Sequence, residues 1–313
     1  MGSLIQQKTL IGTVKFTGIA LHTGAETSVR ILPGDPDTGY RFRRIDLPGA
    51  PETEATVKNI SDTLLATSVG LNGTSVKTVE HLLSGLAGSG VDNALIEVDG
   101  DEIPILDGSA APFVRGIEMI GLVDQDVPKR MIRILKEIET GDQNVRASLS
   151  PAETFSVNFT IDFANPTVGR QSMEFDYTPE AYRRDIAFAR TFGFMKDVEK
   201  LRENGLALGG SLENAVVVGD DGVLNPGGLR APDEFVRHKI LDTIGDLSLL
   251  GIPILGAYCG YRAGHAVNRT LMQEVLANPD RWELVCLEER KPDRIFYRPI
   301  LEGDLDGIHA ASP

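Results

Sequence analysis

A chain of 313 residues, 42% hydrophobic and 24% charged, has the composition of an ordinary globular protein with room for two domains. Its formal net charge of −14 argues against nucleic acid as a partner and obliges any anionic substrate to find a local basic patch. Two cysteines, Cys259 and Cys286, make no disulfide framework, so a reducing cytoplasm is the expected setting.

The first residues, "MGSLIQQKTLIGTV", lack a basic region followed by a long apolar run and do not read as a signal peptide. Gln6 stands where a myristoylation signal needs Ser or Thr. No apolar run approaches the roughly 20 residues of a membrane span, so no stable membrane insertion is expected. A monomer is expected.

Strands are predicted in "TSVRILPG" and "GYRFRRIDL", around the turn "PGDPDTG". The run "TSVKTVEHLLSGLAGSG" predicts a helix. Ser75 and Thr78 are its candidate caps, Val79, Leu82, Leu83 and Leu86 its apolar face, and Gly88 and Gly90 its stop. "NALIEVDG" follows as a strand. The polar stretch "LVDQDVPKR", 122–130, contains Pro128 and is the predicted boundary between domains 1–124 and 129–280. Beyond it "MIRILKEIET", "RASLSP" and "FSVNFTIDF" predict strands. The helix "EFVRHKILDTIGDL" is started by Pro232 and Asp233 and ends near Gly251, and "PILGAYCG" is another strand. Residues 281–313 are taken as a tail.

Two segments, "EHLLSGLAGSGVDNALIEVDG" and "RHKILDTIGDLSLLGIPILGAYCG", share an order: a histidine near a helix start, a glycine-bearing end, then a buried strand closing on glycine. Read as one α/β unit used twice, they predict that His81 and His238 meet between the halves. The copies differ four residues on, with Gly85 in one and Asp242 in the other.

Residues four apart share a helix face, so His238 and Asp242 can ligate one ion. Imidazole plus carboxylate suits zinc, with ferrous iron as the close competitor. A lone HxxxD also fits a surface or capping pair; a third ligand is needed. The chain has five histidines: His22, His81, His238, His265 and His309. His81 follows Glu80, and a glutamate beside a metal-binding histidine can act as a general base without being a ligand. His265, in "YRAGHAVN", is expected at a loop rim after a strand, where a protonated imidazole can stabilise an oxyanion. Asp246 can hold that charge. Thr191 has a hydroxyl for a developing oxyanion. Lys239 sits beside His238, about 100° around the helix, and can face a phosphate.

The ordered motifs "GIALHTG", "TVEHLLSGLAG", "EIPILDGSAAPF", "RTFGFM", "LGGSLENAVVV", "LNPGGLRAPDEFVRHKILDTIGDL" and "GHAVN" together resemble the UDP-3-O-acyl-N-acetylglucosamine deacetylases, zinc enzymes of lipid A synthesis in Gram-negative bacteria. The resemblance runs from about Gln7 to about Leu276. It implies an α+β fold of two domains with similar topology, each a β-sheet layered against helices, with the active site between them. It implies zinc on His81, His238 and Asp242, Glu80 as general base, and His265 as a charged partner oriented by Asp246. Thr191 would bind the oxyanion, Lys239 the substrate diphosphate, and Phe192 the sugar or acyl region. It also implies that the segment near 190–218 is an inserted strand–helix–strand unit. Small and apolar residues there, Ala207, Ser211 and Val217 among them, would leave a passage for the acyl chain; otherwise the segment is two core strands joined by a helix. Ala66 and Ser68 stand where some relatives carry cysteines, so no thiol there is essential. Two rival readings are a metal hydrolase of another amide and a non-catalytic sugar-nucleotide binder, which would need no base beside its metal.

Overall fold

The computed structural model describes residues 4–71, 73–288 and 296–299. The first half runs β1 (Gln6–Leu10), β2 (Val14–Ile19), β3 (Glu26–Pro33), β4 (Tyr40–Arg44), β5 (Glu52–Glu54), β6 (Ile60–Asp62), β7 (Ser68–Val69), α1 (Glu80–Gly88), β8 (Ala94–Asp99) and α2 (Ala111–Ile120). Five strands form one sheet in the order β2-β3-β8-β4-β5. β8 is its centre, antiparallel to β3 and parallel to β4. Its sequence, ALIEVD, is buried at four of six positions, as a strand with neighbours on both edges requires. α1 is buried on nearly every side, so it lies inside the molecule rather than on its surface.

Neither expected residue caps α1: Val79 is its N-cap position, with no side-chain bond there. The Ser75 hydroxyl pairs with Ser61, and the Thr78 hydroxyl donates to Glu102. The polar stretch after α2 is no loose linker either. It forms β9 (Leu122–Pro128), antiparallel to β1 in a two-stranded ribbon. Such a ribbon leaves side chains in solvent, which is how a polar segment with a proline at its end supports a strand.

The second half runs β10 (Arg130–Ile134), β11 (Ile138–Gly141), β12 (Arg146–Ser150), β13 (Phe155–Asp162), β14 (Arg170–Asp176), α3 (Pro179–Asp185), β15 (Phe192–Phe194), α4 (Met195–Glu203), β16 (Val216–Val218), α5 (Glu234–Leu247), β17 (Ile254–Tyr261), α6 (His265–Ala277), β18 (Trp282–Glu288) and β19 (Phe296–Pro299). β10 to β14 and β17 to β19 make an eight-stranded sheet. Here too a buried helix feeds a strand with parallel neighbours: β17 pairs parallel with β10 and β13. The molecule is thus an α+β fold of two sheet-and-helix domains. β18 pairs along the whole of β10, and β19 along β18, so part of the expected tail belongs to this sheet. Residues 289–295 and 300–313, His309 included, lie outside the described residues.

β15 and β16 pair only with each other, in parallel, joined through α4, which buries none of its residues. No helix among the described residues is long and apolar enough to cross a membrane.

The halves meet where α1 crosses α5. The Ser84 hydroxyl donates to the Leu241 carbonyl at 2.7 Å, and a Cβ on Gly245 would lie 2.1 Å from the Glu80 carbonyl oxygen. One contiguous apolar core runs through both sheets and both helices. Gly245→Ala is expected to cost about 1–3 kcal/mol of stability through overpacking. Gly227→Ala, whose Cβ meets nothing within 4 Å, is expected to unfold like the parent. Thermal unfolding followed by circular dichroism separates them; equal midpoints would mean that the helices have room to spare.

Candidate metal centre

The helical repeat places His238 and Asp242 one turn apart on α5, with His238 Nε2 3.2 Å from Asp242 Oδ1. The first turn of α1 brings in His81, whose Nε2 lies 3.6 Å from the same oxygen. The two imidazole centroids are 5.0 Å apart, so the two helix histidines do meet between the halves. All three side chains are buried, and one ligand atom from each lies within 4.8 Å of the others.

Protonation states sharpen the picture. His238 Nδ1 is 3.0 Å from the Ala189 carbonyl, which can only accept, so Nδ1 carries the proton and Nε2 a lone pair. Burial depresses His238 to about 4 against the pull of Asp242, leaving it neutral near pH 7. Burial pushes Asp242 up, but His238, Lys239 and His81 outweigh it and hold the carboxyl well below its usual range. A lone pair therefore faces a carboxylate oxygen that is buried without a hydrogen-bond partner. Such an arrangement is costly unless a cation lies between. Two donors each about 2.0–2.1 Å from one tetrahedral ion stand roughly 3.3 Å apart, close to the spacings here. These residues fit a metal ion.

Lys239 donates to the other oxygen, Asp242 Oδ2, at 2.6 Å. Burial lowers the Lys239 ammonium and Asp242 raises it, with the net shift upward. The expected phosphate-facing lysine is therefore engaged at the metal residues, because positions three apart share a face. It leaves Oδ1 as the oxygen of Asp242 available to an ion.

Around the ligands runs a chain of acid–base groups. Glu80 is buried, and burial raises its carboxyl although His265 and His81 pull it down. Its Oε2 accepts the Thr67 amide at 3.0 Å. The Thr67 hydroxyl donates to Asp246 Oδ1 at 2.7 Å, and Asp246 Oδ2 accepts from His265 Nδ1 and Asn268 Nδ2, each at 2.8 Å. Burial lowers His265, but the Asp246 carboxylate raises it to about 9. His265 is not on a loop rim: it is the first residue of α6, and Asn268 follows one turn later. A helix N-terminus disfavours a cation, so Asp246 is what keeps His265 charged. Thr67 and Asn268 are the functional contacts that sequence reasoning misses. Asn268 stands in the motif "GHAVN", and Thr67 lies between Ala66 and Ser68.

The Phe192 ring lies 6.3 Å from the His238 ring and 5.0 Å from Phe235, so it flanks a metal ligand. Thr191 is fixed by its amide to Gly108 and its carbonyl to Val216. It follows Arg190, whose guanidinium and amide both bind Glu234 at the start of α5. Ala207 and Ser211 lie instead between α4 and β16, and Val217 lies in β16. The Ala207 amide contacts His22 Nδ1 at 3.5 Å, Ser211 is exposed, and the Val217 amide binds Asn225.

The sequence profile described as UDP-3-O-acyl N-acetylglycosamine deacetylase matches residues 7–277. The chain is 46% identical over 300 residues to the UDP-3-O-acyl-N-acetylglucosamine deacetylase of Pseudomonas entomophila (strain L48), covering 95% of this chain and 99% of that one. It is 44% identical over 301 residues to the protein so named in Hahella chejuensis (strain KCTC 2396), covering 95% and 100%. It is 46% identical over 288 residues to its namesake in Thioalkalivibrio sulfidiphilus (strain HL-EbGR7), covering 91% and 95%.

His238→Ala removes one of three donors and is expected to abolish tight metal binding while the fold survives on its two sheets. Elemental analysis of the purified variant, with circular dichroism, tests this. Full metal occupancy would show that the ligand set is wrong.

Proposed function

The chain belongs to the UDP-3-O-acyl N-acetylglycosamine deacetylase family, and from that premise we propose that it hydrolyses the acetamide of a UDP-linked 3-O-acyl-N-acetylglucosamine. The products are acetate and a free amine, in the course of lipid A biosynthesis. The observation that carries this reading is a buried three-donor cluster flanked by a buried carboxyl, Glu80, and an imidazole held charged, His265. The ion proposed for His81, His238 and Asp242 is zinc, with ferrous iron as the competitor; when bound it supplies Lewis acidity toward a water and the acetyl carbonyl.

The chain's own residues do the rest. Glu80 takes the proton of the attacking water; burial, by raising its carboxyl, makes it a stronger base than an exposed glutamate. His265, charged up to about pH 9, stabilises the developing oxyanion together with the Thr191 hydroxyl. Asp246 keeps His265 charged and, through Thr67, is tied to Glu80. Either Glu80, with the proton it took from the water, or His265 supplies the proton that the leaving amine takes. Lys239 has three donors; one is on Asp242, leaving two for a substrate diphosphate oxygen. Phe192 borders the sugar. Ala207, Ser211 and Val217 border the acyl chain on an insert at about 190–218 within a domain spanning 129–280, the first domain being 1–124. The cytoplasm and a monomeric state complete the proposal. Glu80 weighs against a pure binding protein, which needs no base.

Glu80→Gln keeps size and loses basicity; turnover should fall by roughly 100-fold or more with metal retained. Unchanged turnover would remove Glu80 from the role. Activity needs His265 protonated, and its pKa is raised to about 9, so the parent's rate should hold toward pH 9 and fall above it. In His265→Ala that alkaline limb should disappear from the pH profile; a persisting limb would belong to another group.

The acyl assignment is tested by Ser211→Phe. Each buried methylene contributes about 0.8 kcal/mol, so kcat/KM should suffer far more for long 3-O-acyl chains than for short ones. Equal losses at every length would place the chain elsewhere.

A further inference from the structure

Glu102 is 1% exposed, and its carboxylate takes three donors from two separate parts of the chain. Oε1 accepts the His22 amide at 2.8 Å and the Thr78 hydroxyl at 2.9 Å; Oε2 accepts the Thr23 amide at 2.9 Å. A buried carboxylate is retained only where its oxygens are satisfied, so these bonds fix where all three donors sit.

One arm reaches the metal helix. Thr78 has φ +55°, a left-handed conformation that a β-branched residue rarely adopts. Strain of that kind persists only where the surroundings hold it. The hydroxyl is held by Glu102, and the preceding residue is pinned on both sides, Lys77 N to Asp101 O at 2.9 Å and Ile103 N to Lys77 O at 3.1 Å. The chain then enters α1 two residues later with Glu80 and His81.

The other arm reaches the insert. The turn that Glu102 grips carries Leu21 O, which accepts Gly209 N at 3.0 Å, and His22 O, which accepts Leu208 N at 3.1 Å. A Cβ at Gly209 would lie 2.2 Å from the Ala20 carbonyl oxygen, so turn and insert touch backbone to backbone. We infer that Glu102 is a positioning residue that serves two sites at once: it sets the first turn of α1 for metal binding, and through the turn at 20–24 it sets the 207–211 edge of the acyl passage. The second half of this inference rests on the acyl reading proposed above; the first half does not.

The test uses zinc-loaded full-length protein and three readouts: zinc loss to excess chelator, kcat/KM across 3-O-acyl chain lengths, and thermal midpoint. Glu102→Gln should lose zinc at least about tenfold faster, as removal of a group supporting a metal ligand does. Its kcat/KM should also rise less steeply with chain length. Thr78→Val, which keeps the branched shape and removes one donor, should speed zinc loss alone. Gly209→Ala should flatten the chain-length dependence alone. A Glu102→Gln protein with a lower thermal midpoint but parental zinc retention and chain-length dependence would make the residue merely structural. A change in only one of the two would overturn the shared role. Should Glu102→Gln not fold, Glu102→Asp, which withdraws the carboxylate by one methylene, is held to the same outcomes. A parent without deacetylase activity would sink the functional reading, while zinc retention would still decide the hold on α1.

Discussion

Two buried helices touch backbone to backbone where Gly245 meets Glu80, and the geometry of the site depends on that contact. Because α1 and α5 approach so closely, His81 comes within reach of a carboxylate on another helix. The approach is possible because small residues line the crossing. Gly245 removes a Cβ, and Ser84 turns its hydroxyl onto the Leu241 carbonyl. Tyr182 fills the far side, its ring against Gly88 and its hydroxyl 2.7 Å from Ser84 Oγ. A site assembled from two domains is ordinarily at risk of loosening. Here the apolar core is continuous through both halves, so the two helices that carry the site are held by shared packing.

On that frame the electrostatics follow from burial. Glu80, Asp242 and Asp246 are three acids in one buried cluster, against two cations, Lys239 and His265. Each cation is raised by a particular acid: Lys239 by Asp242, and His265 by Asp246. Glu80 has no cation bonded to it and accepts only an amide, so burial wins and its carboxyl rises. The same low-dielectric setting thus yields a charged acid, a charged imidazole and a basic carboxyl. The difference lies in whether a cation touches the group. His238 completes the pattern in reverse: its Nδ1–H donates to the Ala189 carbonyl, burial holds the ring neutral, and its Nε2 lone pair is what a metal needs.

What could be read from sequence was what local periodicity or ordered motifs encode. HxxxD is one helical turn, so His238 and Asp242 had to share a face. The repeated helix–strand order brought His81 to His238, and the two helices do meet, each buried over most of its surface. What could not be read depended on contacts across long stretches of chain. Thr67 reaches Asp246 over 179 residues, and nothing in "DTLLATS" announces it. The start of α6 at His265 has no capping side chain, only Gly264, so the histidine read as a loop residue. Thr78 read as a cap because its type fits one, but its backbone is left-handed, Val79 takes the N-cap position, and the hydroxyl is turned to donate to Glu102. Polarity at 122–130 marked a boundary between domains but not a strand, because a two-stranded ribbon needs no apolar face and so leaves no pattern.

The broken symmetry of the two copies explains why the cluster has three donors rather than four. Position 242 on α5 carries an aspartate beside both histidines. The corresponding position on α1, four residues after His81, is Gly85, and a Cβ there would come within 3.0 Å of the Phe113 Cβ. That position of α1 packs against α2, so a side chain there would press on Phe113. On α5, Asp242 lies against both histidines, and its Oδ1 has no hydrogen-bond partner among the described residues. A fourth protein ligand would complete a structural zinc site, and hydrolytic sites stop at three to keep a position for water or substrate. Packing of α2 against α1 therefore does more than stabilise the first domain. It turns position 85 toward α2, and the cluster has the three donors that a hydrolytic metal site uses.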